Sequence, residues 1–113
     1  MPEPKKLFVF ASIRLKAEFF EAAKEAVDQI IRPTLDEPGC HVFAAFENPG
    51  EEATLHLFEC FDDEDALNDH YSQEYTQSVF KKYETWLREP VVITKFHATS
   101  QATWEQFHNA KIA

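Results

Sequence analysis

Residues 7–15 (LFVFASIRL) are apolar at odd and even positions alike, and Phe8, Val9, Phe10 and Ile13 are strong strand formers. Successive side chains of a strand point to opposite faces, so a run like this needs cover on both. It belongs at the centre of a sheet, or beneath a helix on one face and another subunit on the other. The rest of the chain has to supply that cover.

From Glu18 the period changes. Phe20, Ala23, Val27, Ile30 and Ile31 recur at three- and four-residue spacing, with Glu21, Lys24, Glu25 and Asp28 on the opposite side. This predicts an amphipathic helix of about five turns. Pro33 is expected to kink or end it, with room for a last turn to Leu35, and Pro38-Gly39 closes the connection.

Residues 40–47 (CHVFAAFE) and 54–61 (TLHLFECF) read as two further strands, with Asn48, Pro49, Gly50, Glu51 and Glu52 between them. A short connection of that composition predicts an antiparallel hairpin. Pairing across it sets Cys40 opposite Phe61 and His41 opposite Cys60. The two thiols then point to opposite faces, a poor geometry for a disulfide, and both read as small core residues.

Four consecutive acids, Asp62 to Asp65, suggest a metal loop, but they precede Ala66 and Leu67, and anionic residues are favoured at a helix N-terminus. The alternate ligands and central glycine of a calcium loop are missing. The run is a helix start. That helix extends to about Tyr71 and passes through Ser72-Gln73-Glu74 into a longer one ending near Leu87, whose apolar face is Val79, Phe80, Tyr83, Trp86 and Leu87. Pro90 stops it, and residues 91–97 (VVITKFH) form a fourth strand. Thr99 or Ser100 caps a short terminal helix with Trp104 and Phe107 on one side, expected to dock on the body or on a second subunit.

The order β-α-β-β-α-β predicts an α+β fold of the ferredoxin-like kind, with helices on one face of a four-stranded antiparallel sheet. One domain spans residues 1–113, with a core at 7–97, an appendage at 98–113 and residues 1–6 as a solvated lead-in. At this length only about two-thirds of the unfolded surface is buried on folding. The strands are apolar on both faces while the helices cover one, so the open face is expected to meet the same face of another copy in a homodimer.

A formal charge of −9, from 20 acidic and 11 basic residues, excludes a basic stripe for nucleic acid. The apolar patch near the N-terminus is too short for a signal core or a membrane span, and two cysteines make no disulfide framework. The expectation is a cytoplasmic protein with neither nucleic-acid nor membrane partners.

Little of the usual catalytic vocabulary is present. With two glycines in all there is no phosphate-cradling loop, and Ser12, Ser72, Ser78 and Ser100 lack a nucleophile-elbow context. The five histidines, His41, His56, His70, His97 and His108, follow no zinc spacing. His56 and Glu59, three apart on a strand, face opposite ways and cannot share an ion. His70 differs, because it lies three residues after Leu67 on the sheet-facing side of its helix. It reads either as a catalytic base or as a structural histidine bonding the backbone at a helix end. Glu59 is either an edge residue or a deliberately buried carboxyl. The aromatic set Phe8, Phe10, Phe43, Phe46, Phe58, Phe61, Phe80 and Trp86 serves as core or as the walls of a pocket for a flat ligand.

Three segments, VFASIRLKAEF, EPGCHVFAAFENP and LFECFDDEDALNDHYSQEY, together resemble the antibiotic biosynthesis monooxygenase (ABM) domain family, in particular its small stand-alone quinol monooxygenase type. The resemblance covers about residues 7–97 and implies a dimeric α/β-barrel with one pocket per subunit between helices and sheet. It implies oxidation of a small aromatic phenol or hydroquinone by O₂ with no cofactor and no metal. His70 then matches the family's helix histidine as proton acceptor, and Glu59 matches its strand carboxylate. Phe61, Tyr75, Phe80, Tyr83, Ser12 and Ile13 are the expected substrate-binding positions. Phe61 replaces the usual Trp of E-x-W, and Tyr75 replaces a second histidine. The Asn, Trp and His of the haem-degrading branch correspond to Ile13, His70 and Phe80, so haem breakdown is not expected. A non-oxidative isomerase of a small metabolite or signalling molecule, or a ligand-binding stress protein, is the alternative on this scaffold.

Overall fold

A computed structural model describes residues 6–112, with side chains described through Phe107. Residues 1–5, expected as lead-in, and the side chain of His108 lie outside the described residues. Strand β1 (Leu7–Arg14) leads through a 3-10 turn (Ala17–Phe19) into α1 (Phe20–Leu35). The hairpin β2 (Cys40–Glu47) and β3 (Thr54–Phe61) follows. Next come α2 (Glu64–Ser72), α3 (Glu74–Trp86), β4 (Val92–His97) and α4 (Gln101–Ile112). The four strands are ordered β2-β3-β1-β4, all neighbours antiparallel. This is the ferredoxin-like α+β arrangement.

The doubly apolar β1 is central, as its pattern requires. Leu7, Val9, Ala11 and Ile13 are buried against α1 and α3, together with Leu55, Leu57 and Phe61 of β3. Its alternate residues face the other way, where Phe8 is buried and Phe10 remains 48% exposed. Helix α1 covers the inner face with Ala23, Ala26, Val27 and Ile30, and its acids lie outward. Pro33 neither ends nor replaces the helix, which runs to Leu35. In the final turn proline forfeits one backbone bond rather than a ladder of them.

The helices are not confined to one face. Helix α4 lies across the outer side, where Trp104 joins Phe8 and Cys60 in a second small core with Phe107 beside them. Ser100 Oγ accepts from the Thr103 amide at its start, 3.4 Å away. The Lys6 ammonium sits 5.0 Å over the Trp104 ring, and the His41 ring meets it edge-on at 4.7 Å. The outer face stays open at Phe10, Phe46, Val92 and Phe96.

The hairpin register departs from expectation by one residue. Cys40 pairs with Phe61, but Val42 rather than His41 stands opposite Cys60, because a bulge lies between Cys40 and Val42. The extra residue leaves the ladder, and His41 Nε2 reaches Asp62 Oδ1 at 2.5 Å. Both thiols are buried, in different cores, and neither forms a disulfide. Burial first of all pushes the Cys60 thiol up to about 12, so it is inert.

The acidic run divides its work. Asp62 pairs with Lys6 and His41, Asp63 Oδ1 caps α2 by accepting from the Ala66 amide at 2.9 Å, and Glu64 pairs with Lys95. No group of three or more His, Cys, Asp or Glu side chains among the described residues is placed to hold a metal ion. No described helix is long and apolar enough to cross a membrane.

Gly39 sets the approach of the hairpin to α2. A Cβ there would lie 2.5 Å from the Ala66 Cβ, a contact that no rotamer change relieves. Gly39→Ala is expected to cost about 1–3 kcal/mol, read as a lower urea midpoint at unchanged slope. Adding Ala66→Gly should recover part of the loss, making the pair non-additive.

Candidate functional site

Between the inner face of the sheet and α1, α2 and α3 lies a cavity of about 110 Å³. Its scale is that of one aromatic ring, near the ~150 Å³ void that admits benzene in a protein core. Most of its wall is apolar, from Ala11, Ile13, Val27, Ile30, Phe43, Leu57 and Val79. Glu59, His70, Tyr71, Thr76 and Tyr83 are the groups that bring polar atoms to it.

His70 arrives from the last turn of α2. Gln73 adopts an extended backbone (φ −65°, ψ 143°) that breaks α2 from α3, and its amide donates to the His70 carbonyl at 3.2 Å. Leu67 and His70, three residues apart, both turn inward, and His70 is 3% exposed. Its ring contacts those of Phe43 and Phe61, each with centroids 5.3 Å away. Its Nδ1 is 3.0 Å from Glu37 Oε2, on the turn after α1. The Tyr75 hydroxyl also donates to Glu37 Oε2, and it lies 3.2 Å from the Pro33 carbonyl oxygen. With Nδ1–H donating to a carboxylate, the neutral ring keeps its lone pair on Nε2. The tautomer follows from the partner.

Glu59 comes from the centre of β3, between Val9 of β1 and Phe43 of β2. It is 4% exposed, and its Oε1 has no hydrogen-bond partner among the described residues. Burial, reinforced by the nearby Glu37 charge, pushes its carboxyl up to about 8. At neutral pH it therefore carries its proton. The cavity phenols remain protonated as well. Burial, then Glu59 and Glu64, pushes Tyr71 up to about 12, and burial with Glu59 moves Tyr83 upward.

Of the positions expected from sequence, the cavity gathers Ile13, Glu59, His70, Phe80 and Tyr83. Three others lie elsewhere. Ser12 cannot share a face with Ile13, and it sits on the outer side, 3.1 Å from His56 Nδ1. Phe61 is fully buried behind the His70 ring rather than in the lining. Tyr75 turns away to hold Glu37. His56 and Glu59 do face opposite ways, with His56 Nε2 on Glu51 at 2.6 Å. Glu37, Tyr71 and Thr76 were not among the expected site residues. Glu37 stood in the EPGC turn, and Tyr71 follows Leu67 by four residues, a spacing that marks the same helix face.

The sequence profile of the family described as antibiotic biosynthesis monooxygenase matches residues 7–82. The chain belongs to that family. Among solved structures, Rv0793 from Mycobacterium tuberculosis is similar with 24% identity and a TM-score of 0.79, covering 86% of this chain and 98% of its own. PA3566 from Pseudomonas aeruginosa is 19% identical with a TM-score of 0.81, over 88% of this chain and all of its own (100%). SO0527 from Shewanella oneidensis is 22% identical with a TM-score of 0.77, over 84% and 92%. Likeness at this identity shows the fold. No curated protein matches the chain.

The raised Glu59 value has a stability consequence. The folded state holds a proton that the unfolded chain releases near 4.5, so Glu59 lowers stability progressively as pH rises from about 4.5 to about 8, and no further above it. Glu59→Gln removes that penalty. Urea unfolding at several pH values should show the variant gaining on wild type across this window, by roughly a few kcal/mol at its upper end. An unchanged difference would mean that Glu59 is not held neutral.

Proposed function

We propose that the chain is a cofactor-independent monooxygenase of a small aromatic phenol or hydroquinone. The observation that carries this reading is His70, anchored through Nδ1 by the partly buried Glu37 carboxylate at the wall of an apolar cavity the size of one ring. An anchored imidazole with Nε2 available is a competent general base for a phenolic hydroxyl. Glu37, oriented in turn by Tyr75, stabilises the imidazolium that forms. The mostly apolar wall solvates a phenolate poorly, so its electrons are readily given up.

In this reading the phenolate passes one electron to O₂, and the ring radical and superoxide combine at a ring carbon. The resulting hydroperoxide loses water to leave a carbonyl. One oxygen atom of O₂ enters the ring and the other leaves as water, and the ring supplies the four electrons. The protein binds, deprotonates and shields. Family membership supports the oxidoreductase class, and the substrate remains part of the proposal.

The same proposal includes a homodimer through the outer sheet face, which α4 leaves open at Phe10, Phe46, Val92 and Phe96. Exposed aromatics clustered this way mark a surface that pairs. Two buried thiols without a disulfide fit a reducing, cytoplasmic setting.

Oxygen uptake with a panel of phenols and hydroquinones, corrected for autoxidation, tests the chemistry. His70→Ala is expected to lower kcat/KM by about 10²–10⁴. Glu37→Gln should lower kcat by about tenfold with little change in KM. Rates equal to wild type in His70→Ala would remove the assigned base. Ring binding with no oxygen uptake would favour isomerisation or simple ligand binding.

For the dimer, sedimentation equilibrium at micromolar concentration should give twice the chain mass, and Phe10→Lys with Phe96→Glu should shift it to the monomer. A monomeric wild type would refute the interface.

A further inference from the structure

The two edges of the sheet are finished differently. On β4, the Lys95 ammonium donates to both carboxylate oxygens of Glu64 on α2, at 3.0 and 3.1 Å. β2 has its bulge between Cys40 and Val42, and beyond it residues 43–47 (FAAFE) hold neither proline nor lysine. The one charge in that stretch, Glu47, stands at the strand's end. Among the described residues β2 pairs with β3 alone, so the backbone groups on its other side have no strand to meet. Proline, lysine and bulges are the usual means of keeping a free edge from pairing, and residues 43–47 use none of them.

Beside this edge runs a groove of about 600 Å³ between β2 and α1. Three consecutive strand residues, Ala45, Phe46 and Glu47, line it. Neighbouring side chains of a strand point opposite ways, so the strand's edge itself forms this wall. The facing wall is one stripe of α1, made by Glu21, Lys24, Glu25, Asp28 and Ile31 at three- and four-residue spacing. Val27 and Leu55 add apolar lining, and Val27 is the residue shared with the cavity at His70. Four carboxylates, Glu21, Glu25, Asp28 and Glu47, line the groove with one ammonium. That ammonium, on Lys24, reaches Glu47 at 2.7 Å and lies 3.7 Å from Glu21, so these acids already hold a cation between helix and strand. Glu25 and Asp28 form no ion pair among the described residues.

We propose that the α1–β2 groove docks an extended basic peptide segment of a partner protein, which adds a strand to the β2 edge and sets lysine or arginine side chains against Glu25, Asp28 and Glu47. In this mode of recognition main-chain pairing supplies affinity and alternate side chains supply selection. Residues i, i+2 and i+4 of the added strand face α1 and span about 13 Å. Glu21 to Asp28 covers about 10 Å along the helix. Cations at i and i+4 therefore meet acids along the groove, while an apolar residue at i+2 meets Val27, Ala45 and Leu55. An acidic segment is repelled by the same walls. The surface is separate from the outer sheet face and independent of any chemistry at His70.

The test is fluorescence anisotropy of the full chain with a labelled TKTVTKT peptide, with amide hydrogen exchange as the structural readout. Micromolar binding is expected, and the acidic peptide TETVTET should bind at least tenfold more weakly. Two further forms carry methyl groups on alternate backbone nitrogens, in the two possible phases. One should bind like the parent and the other at least tenfold more weakly, because only alternate amides of an added strand face its neighbour. Exchange should slow at residues 43–47 when the peptide binds. Glu25→Lys with Asp28→Lys, both on the exposed side of α1, should weaken binding at least tenfold with the urea midpoint little changed.

Absence of saturable binding overturns the inference, as does equal affinity for TETVTET or for the α1 double variant. Equal affinity for the two methylated forms also overturns it, since charge attraction without edge pairing has no phase. Slowed exchange at residues 43–47 that appears without peptide as the chain is concentrated, together with self-association in sedimentation, assigns the edge to a second copy and overturns the peptide.

Discussion

The two central strands are apolar on both faces, and that constraint organises the molecule. β1 and β3 pair along their full length, and their inner residues form a continuous core with α1, α2 and α3. Their outer residues need a different cover. Helix α4 supplies part of it through Trp104 and Phe107, while Phe10 and its neighbours remain open. Because a strand alternates strictly, the inner and outer surfaces are chemically independent. Ser12 and His56 bond each other on one side while Ile13 and Glu59 serve the other.

At the cavity the apolar inner layer is interrupted by a carboxyl. At the position of Glu59 both cross-strand neighbours are apolar, and an aliphatic side chain would simply extend the core. The acid takes the place of that packing and stays neutral to do so. His70 is brought opposite by the break at Gln73, which ends α2 just after the histidine has turned inward. Its orientation then depends on Glu37, a residue from the turn after α1 that also receives Tyr75. Three separate elements therefore converge on one imidazole. Such convergence fixes a ring more firmly than any bond within a single helix, since movement of one element alone would break it.

Much of the architecture was legible from periodicity. The shift from strand to helix after residue 15, the Asn-Pro-Gly hairpin and the cap at Asp63 each follow from local rules, and the structure reproduces them. The inward turn of His70 was readable too, from its spacing to Leu67. What local rules missed was long-range or irregular. The bulge at His41 changes the register by one residue with no proline or glycine in the strand to announce it. The placement of α4 on the outer face depends on which apolar surface was left uncovered, a property of the assembled sheet. Tyr75 was read as a pocket residue because the family resemblance sets it where a second histidine stands, yet its hydroxyl bonds the Glu37 carboxylate instead.

While the burial of Glu59, open between edge and interior, was settled by the sheet order, the sequence by itself determined the ferredoxin-like order of elements and an inward histidine. It did so because hydrophobic period and capping chemistry act over a few residues and need no knowledge of distant parts. Only the tertiary structure decided that Glu37 holds His70 and that Ser12 meets His56. Those are statements about side chains 33 residues apart for Glu37 and His70 and 44 apart for Ser12 and His56, and no local pattern encodes such distances. Hydrogen-bond partners are found across the whole packed interior, so which group meets which is settled only once distant elements are assembled.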